Sequence, residues 1–421
     1  MSPTARHCGL DFGTSNSTLA VTEAGGAARL LSLEDGRVTI PSTIFFDFQT
    51  DRTLFGRAAI AAYIEGGDGR MMRSLKSILG SSLSAEAVRI KRRVLPFLDI
   101  VGAFVAELKG RAEADLGTAL DHVVIGRPVH YVDDDPIADR EAQKQMEGAV
   151  RAQGFHQTAF QYEPIAAALD YEQQVAREEI GLVVDLGGGT SDFSIVRVSP
   201  ERAKAADRQA DILATAGVHL GGTDFDRLLS LYRVMPELGY QTPTADGKRP
   251  LPSGPYVDLA TWHRINRLYA TESLRELRQT AREARDPERV AKMISIVSHR
   301  EGHRLAGDVE EVKIALTHET QSRLAFEGEE VKLATAISRS ELTETIAAAV
   351  AGIEDTLRMV VSVAGLKAEQ IDTLILTGGS TQIPSIMQML RAGFPKARLV
   401  ETDAFGSVGL GLALDAKRKF G

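Results

Sequence analysis

Cysteine, aromatic residues and long apolar runs are all scarce in this chain of 421 residues. Cys8 is the one cysteine, which excludes an intramolecular disulfide and a thiolate metal cluster and makes the cytoplasm the expected location. No run approaches the ~18 apolar residues of a membrane span, and the N-terminus lacks the apolar core of a signal peptide. The formal net charge of -8 argues against a nucleic-acid partner.

Aliphatic residues must supply most of the packing, because aromatic residues make up only 6% of a chain that is 43% hydrophobic. A chain of this length and composition can bury more than one core, so two domains are expected.

Three short loops rich in glycine and hydroxyl residues stand between apolar runs. Glycine lets backbone N–H groups approach an anion without obstruction by a Cβ atom. The hydroxyls of Thr14, Ser15 and Thr190 add further donors. The pattern therefore predicts that the loops bind phosphate. The three loops are GLDFGTSNSTLAV from Gly9, VVDLGGGTSDFSIV from Val183 and LILTGGST from Leu374.

Asp11 and Asp185 each open one of these loops at the end of an expected buried strand. A carboxylate in that position is costly unless it faces a cation, and Mg²⁺ is the obvious cation beside phosphate. The alternative is that DxGT and GGGT are hairpin turns with incidental aspartates. Three such loops in one chain favour a nucleotide held in a cleft between two related domains.

The strand, loop and strand pattern around Asp11 returns around Asp185, which predicts an internal duplication. Each half would be one α/β lobe, residues 1–178 and residues 179–421, with a ligand in the cleft between them. Apolar spacing and glycine or proline content predict the remaining segments. Helices are expected over about 85–120, 135–153, 265–285 and 406–417, and a loop over 241–255.

At these residues the sequence resembles the ATPase region of the seventy-kilodalton heat-shock chaperones (DnaK-type), a branch of the actin and sugar-kinase superfamily. The first loop is similar to their phosphate-1 motif, DLGGGTSD to phosphate-2 and GGSTQIP to the adenosine motif. The likeness runs from about residue 8 to 415, and VIGRPV and FQYEPIAAALDYE resemble the bacterial YegD-type proteins in particular. It implies a two-lobed actin-like ATPase fold of the α/β class, with a mixed sheet flanked by helices in each lobe and a nucleotide cleft between the lobes.

The resemblance also implies ATP or ADP with Mg²⁺ as ligands, and it assigns roles to residues that match the family's motifs. The two loop aspartates would hold hydrated Mg²⁺ and help place the attacking water. Lys76 would reach the terminal phosphate, Thr190 would contact the γ-phosphate, and Glu163 and Asp192 would lie at the lobe interface. The expected catalytic set is Asp11, Lys76, Glu163, Asp185, Thr190 and Asp192.

On the nucleoside side, Glu310 and Lys313 match the pair that the family points at the ribose, and residues three apart share one helix face. The alternative is an exposed ion pair. Ile314 stands where the family usually has an arginine stacked on adenine, so weaker nucleotide retention is expected. The implied nucleotide contacts are Gly13, Thr14, Ser15, Asn16, Gly187, Gly188, Gly189, Gly221, Gly222, Glu310, Lys313, Ile314, Gly378, Gly379, Ser380 and Asp403.

Two departures from the family shape the expected function. The segment between Asp226 and Val309 is longer, which predicts an enlarged insertion subdomain at about 227–335 and a possible protein partner or client at 227–309. The chain stops at ALDAKRKFG without the family's linker and peptide-binding domain. We therefore expect a nucleotide-gated switch with slow Mg²⁺-dependent ATPase activity. A small-molecule kinase and an actin-like polymerising protein of the same superfamily remain alternatives.

Overall fold

The structure is a computed structural model that describes residues 7–23, 25–132, 135–205, 207–401 and 406–421. The strands are β1 (His7–Phe12), β2 (Asn16–Thr22), β3 (Ala28–Leu30), β4 (Ile40–Pro41), β5 (Thr43–Asp47), β6 (Thr53–Phe55), β7 (Gly69–Arg73), β8 (Ala87–Ile90), β9 (Arg93–Pro96), β10 (His122–Arg127), β11 (Gln157–Tyr162), β12 (Glu179–Leu186), β13 (Ser191–Val198), β14 (Ile212–Val218), β15 (Gln321–Glu327), β16 (Lys332–Ser338), β17 (Thr373–Thr377) and β18 (Arg398–Glu401). The α-helices are α1 (Gly56–Ile64), α2 (Phe97–Leu116), α3 (Pro136–Arg151), α4 (Glu163–Glu172), α5 (Gly222–Leu229), α6 (Gly254–Ala260), α7 (Thr271–Glu283), α8 (Pro287–Ser298), α9 (Gly302–His318), α10 (Arg339–Val363), α11 (Pro384–Gly393) and α12 (Ser407–Phe420).

Two mixed sheets repeat one topology. The first has the order β3, β2, β1, β10, β11, with β4 also paired to β2, and the second has the order β14, β13, β12, β17, β18. In each sheet the first three strands along the chain are antiparallel, and the last two run parallel to the central strand. The shared topology is what the repeated aspartate loops predict. Mixed sheets flanked by helices confirm the expected α/β fold class.

The chain divides into two compact units. One comprises Met1–Val218, Thr356–Thr381 and Arg391–Gly421 and contains both mixed sheets. The other comprises His219–Asp355 and Gln382–Leu390 and contains α5 to α9 and the β15–β16 hairpin. We call them the sheet unit and the helical unit. The predicted lobe boundary at residues 178 and 179 is a different division and stays a prediction.

Within the sheet unit, α12 packs closely on its neighbours at three glycines, and the contacts of Gly411 and Gly9 with backbone atoms require glycine there. A Cβ atom on Gly411 would lie 1.8 Å from the carbonyl oxygen of Ala166 in α4, and one on Gly9 would lie 2.4 Å from the backbone nitrogen of Ala413. A Cβ atom on Gly409 would lie 2.5 Å from Oγ1 of Thr18 in β2. The motif VGLGLALDA thus lets one helix contact both the first sheet and α4.

The helix predicted over 85–120 is wrong in its first third. Residues 87–96 form the β8–β9 hairpin, whose turn is made by Lys91 in a left-handed conformation (φ 52°), and α2 begins only at Phe97. Val94, in the second strand of the hairpin, is 56% exposed. Only Val88 and Ile90 are buried in the hairpin, a spacing of two that is typical of a strand.

The helix predicted over 265–285 is interrupted. A 3₁₀ segment, Trp262–Tyr269, precedes α7, and Ala270 between them is extended (φ -70°, ψ 142°). In the part of the chain that the structure describes, no helix is both long and apolar enough to cross a membrane.

Candidate nucleotide site

The three glycine-rich loops meet in the sheet unit. A Cβ atom on Gly188 in the second loop would lie 2.3 Å from Oγ of Ser15 in the first loop. Gly378 in the third loop has φ +82°, and a Cβ atom there would lie 2.3 Å from the Leu186 carbonyl oxygen and 2.9 Å from Oδ1 of Asp185. Gly378 therefore requires glycine, and the close approaches show that the three loops predicted to bind phosphate lie next to one another.

Strand register places the aspartates of this surface. Asp11 is the next-to-last residue of β1 and lies opposite Thr18 in β2. Asp185 is the next-to-last residue of β12 and lies opposite Asp192 on one side and Thr377 on the other. Both carboxylates thus project where a central strand gives way to a glycine-rich turn, as the sequence predicts.

Lys76 and Glu163, which are far apart in sequence, form an ion pair with 2.5 Å between Nζ and Oε1. Their side chains are only 13% and 17% exposed. Glu163 is the first residue of α4, and Lys76 lies in the 3₁₀ segment Leu75–Ile78. Ser74, at the start of that segment, has a left-handed backbone (φ 56°, ψ 42°). Such a conformation is costly for serine and is often found at functional sites.

The half-buried charges of this site perturb one another. Burial raises the pKa of Asp11 to about 7, with repulsion from Glu163 adding to the rise and Lys76 opposing it. Burial likewise raises the pKa of Asp185 to about 8, together with repulsion from Asp192, Glu163 and Asp11. Burial alone would lower the pKa of Lys76, but the neighbouring negative groups raise it, so Lys76 stays a cation.

This arrangement fits a divalent cation. Asp11 and Asp185 are poorly hydrated and repel each other, and a bound cation would stabilise both ionised forms. Among the residues that the structure describes, no three His, Cys, Asp or Glu side chains are grouped to hold a metal ion by themselves. A Mg²⁺ ion held here would therefore take the rest of its ligands from phosphate and water, as Mg²⁺ usually does in nucleotide sites.

The remaining phosphate-side residues lie in tight turns of the same unit. Oγ1 of Thr190 donates to Oδ2 of Asp192 at 3.1 Å, and the Gly187 N–H donates to the Thr190 carbonyl at 3.0 Å. In the first loop, a Cβ atom on Gly13 would lie 2.2 Å from the carbonyl oxygen of Asn16. Ser380 Oγ lies 3.5 Å from the Gly187 carbonyl. Thr14, Gly189 and Gly379 occupy the same three turns.

The residues expected on the nucleoside side that lie in the helical unit form their own group. Lys313, a buried residue of α9, pairs with Asp226 at 2.8 Å and donates to the Gly222 carbonyl at 3.2 Å. Gly221 precedes α5. One turn from Lys313, Glu310 is exposed, and Ile314 is 54% exposed.

Sequence reasoning missed two residues of these groups. The first is Asp226, which pairs with Lys313. The motif HLGGTDFD, which ends in Asp226, is the sequence feature that could have indicated it. Burial raises its pKa to about 6, although Lys313 opposes the rise. Tyr131 interacts electrostatically with Lys76 and Glu163, and its signal was an aromatic residue just after the VVIGRP strand. Asp403, expected near the base, lies outside the described residues.

Comparison with known proteins is consistent with this geometry. The family model described as Hsp70 protein matches residues 7–238 and 290–419. The chaperone protein DnaK of Thermosipho melanesiensis is 29% identical over 410 residues, which cover 97% of this chain and 58% of that protein. A chaperone protein HscA homolog of Aromatoleum aromaticum is 28% identical over 427 residues, which cover 97% of this chain and 57% of that protein. The chain thus spans a little over half the length of these relatives.

Proposed function

The chain belongs to the Hsp70 protein family, and on that premise we propose that it binds ATP and ADP with Mg²⁺ and hydrolyses ATP slowly as a nucleotide-gated switch. The observation that carries this proposal is the meeting of three glycine-rich loops beside Asp11, Asp185 and the Lys76–Glu163 pair. Phosphoryl transfer asks a protein mainly for positioning and charge stabilisation, which this group of residues supplies.

Each phosphate-side residue has a physical role in the proposal. The ammonium of Lys76 stabilises charge on the terminal phosphate, and Glu163 holds that ammonium in place at 2.5 Å. The hydroxyl of Thr190 and the backbone N–H groups of the glycine turns donate to phosphate oxygens. Asp11 and Asp185 would hold Mg²⁺ and help place the attacking water. When bound, Mg²⁺ neutralises charge on the phosphates.

On the nucleoside side, the proposal assigns the ribose to Glu310 and Lys313 and the base to Ile314. The Lys313 ammonium forms an ion pair with Asp226 and donates to the Gly222 carbonyl. Ile314 keeps an apolar side chain 54% exposed, which suits the flat face of a base. Ile314 offers dispersion contact but no cation, so we expect weaker retention than a stacked arginine would give.

A protein partner or client is proposed to bind the insertion at 227–309. Residues 239–289 are the part of this segment that the family model leaves unmatched. Exposed arginines line α7 and the turn after it, at Arg275, Arg278, Arg282 and Arg285. Glutamates lie among them on α7, and Arg275 pairs with Glu272 at 3.1 Å, so this surface offers charges of both signs to a partner. Replacing the four arginines with glutamate should abolish partner capture while leaving nucleotide affinity unchanged.

The YegD-type assignment and a cytoplasmic location are parts of the same proposal. The two alternatives differ from it in measurable products. A small-molecule kinase would transfer the γ-phosphate to an acceptor, and little free phosphate would form without one. A polymerising protein would sediment as filaments when ATP is added. The switch should release inorganic phosphate slowly and stay in the supernatant.

The direct test of the proposed activity is the Asp185→Ala variant. Phosphate release from ATP should be Mg²⁺-dependent in the parent protein and lost in Asp185→Ala, while the exposed Asp68→Ala control should keep the parent rate. Hydrolysis by Asp185→Ala at the parent rate would show that the metal site is assigned wrongly.

A further inference from the structure

Arg127 is a buried arginine to which the proposed function assigns no role. It ends β10, its side chain is only 10% exposed, and its register partner in β11 is Tyr162, the residue before Glu163. Buried arginine is costly unless its N–H groups are paired, and here they are. Arg127 donates to the Pro128 carbonyl at 3.1 Å, the Val129 carbonyl at 3.2 Å, both Asp139 carboxylate oxygens at 2.8 and 3.1 Å, and Oε1 of Gln143.

The same guanidinium lies against two tyrosine rings. Its Cζ atom is 5.1 Å from the ring centre of Tyr162 and 5.3 Å from that of Tyr131, distances typical of cation–π contacts. Asp139, the carboxylate partner of Arg127, also accepts the Tyr131 backbone N–H at 2.6 Å. Arg127 and Asp139 therefore fix both the backbone and the ring of Tyr131.

These tyrosines stand next to the Lys76–Glu163 pair. Tyr162 is bonded directly to Glu163, and a Cβ atom on Gly126, the residue before Arg127, would lie 3.3 Å from Cγ of Glu163. Burial raises the pKa of Tyr131, and the charges of Lys76 and Glu163 also act on its phenol. A displacement of Tyr131 or Tyr162 would consequently alter the geometry of the Lys76–Glu163 ion pair.

We propose that Arg127 is a positioning residue that holds Tyr131 and Tyr162 so that Glu163 presents the Lys76 ammonium to the terminal phosphate. The proposal gives Arg127 no direct contact with nucleotide or metal. The predicted effect of Arg127 on the rate rests on the proposed ATPase function. The predicted control of the Lys76–Glu163 ion pair by Arg127 is independent of that function. Arginine is required because lysine offers neither two parallel donors nor a flat face.

The kinetic test compares Arg127→Gln with Arg140→Gln, since Arg140 is an exposed arginine on the same helix as Asp139. Arg127→Gln should lower kcat by about tenfold to a hundredfold with KM for MgATP nearly unchanged, because displacement of a reacting group costs rate more than binding. Arg140→Gln should match the parent. In a Glu163→Gln background, Arg127→Gln should cost nothing further. An equal further loss in that background would overturn the inference in favour of a merely structural role.

The structural test needs no activity. Crystal structures of nucleotide-free Arg127→Gln and Arg127→Lys should show the Lys76 Nζ to Glu163 Oε1 distance lengthened beyond salt-bridge range, with Arg140→Gln unchanged. Arg127→Lys keeps the buried positive charge, so it can be used for this test if Arg127→Gln fails to fold. A retained ion pair in either Arg127 variant refutes the inference. A lost ion pair in a protein whose parent shows no ATPase activity supports the inference while the proposed function fails.

Discussion

At the scale of single residues, the site is defined by carboxylates held where their charge is unfavourable. Asp11 and Asp185 have pKa values raised to about 7 and about 8, first by burial and then by repulsion between the acidic groups. Lys76 opposes both shifts, yet it is itself paired with Glu163. The charge of Lys76 thus only partly offsets the carboxylates, and a bound divalent cation would stabilise their ionised forms further.

The raised pKa values predict how stability depends on pH. A folded-state pKa of about 8 for Asp185 lies above the ~3.9 of an unfolded aspartate, so the folded chain binds more protons between these values. This contribution to stability is fully present below about pH 4 and is lost as the pH rises through about 8. Asp185→Asn should therefore show a shallower fall in Tm from pH 5.5 to 8.5 than the parent, measured by calorimetry.

Two controls complete that experiment. Asp68→Asn, at an exposed site, should keep the slope of the parent protein. Saturating Mg²⁺ and ADP should reduce the slope of the parent, because the cation favours the ionised carboxylates. Parallel slopes for Asp185→Asn and the parent would mean that Asp185 titrates normally.

Ile314 allows a second prediction at this scale. It is an exposed apolar residue on α9, which the proposed function places against the base. Ile314→Arg should tighten both ATP and ADP by up to about tenfold, as a restored cation–π contact would. Ile137→Arg, at an isoleucine 74% exposed on α3, is the matched control for added charge. If a folded Ile314→Arg gains no affinity, or Ile137→Arg gains as much, residue 314 does not face the base.

At the scale of elements, α12 shows how small residues create a packing site. The carbonyl oxygen of Ala166 lies where a Cβ atom on Gly411 would be, at 1.8 Å. Gly411→Ala should therefore cost about 2 kcal/mol or more in the free energy of unfolding, because α12 must shift from α4. Gly148→Ala, in α3 with nothing within 4 Å of the added methyl, should instead stabilise by about 0.5–1 kcal/mol. Denaturant unfolding measures both, and a neutral Gly411→Ala contradicts the packing described.

The elements also show what local sequence patterns determine. Glycine and aspartate at the turns were sufficient to predict the loops, since those residue types have specific backbone and charge consequences. The β8–β9 hairpin was missed because valine and leucine between residues 85 and 120 fit a helical period as well as a strand period. The turn at Lys91 depends on a left-handed lysine, which carries no sequence signal. The Lys313–Asp226 and Arg127–Tyr131 contacts depend on tertiary packing and lay beyond any spacing argument.

At the scale of the whole molecule, the two mixed sheets belong to one compact unit and the inserted residues 239–289 to the other. The phosphate-side residues lie in the sheet unit, and Glu310, Lys313 and Ile314 lie in the helical unit.

The most direct test of the central claim is calorimetric titration of the intact chain with ATP and ADP, with Mg²⁺ and with a chelator. We predict saturable binding of both nucleotides that weakens at least tenfold when Mg²⁺ is removed. In Asp185→Asn, Mg²⁺ should no longer strengthen binding, because one of the two proposed metal-holding carboxylates is gone. Absence of binding, or equal affinity with and without Mg²⁺ in the parent protein, would contradict the proposed Mg²⁺–nucleotide site.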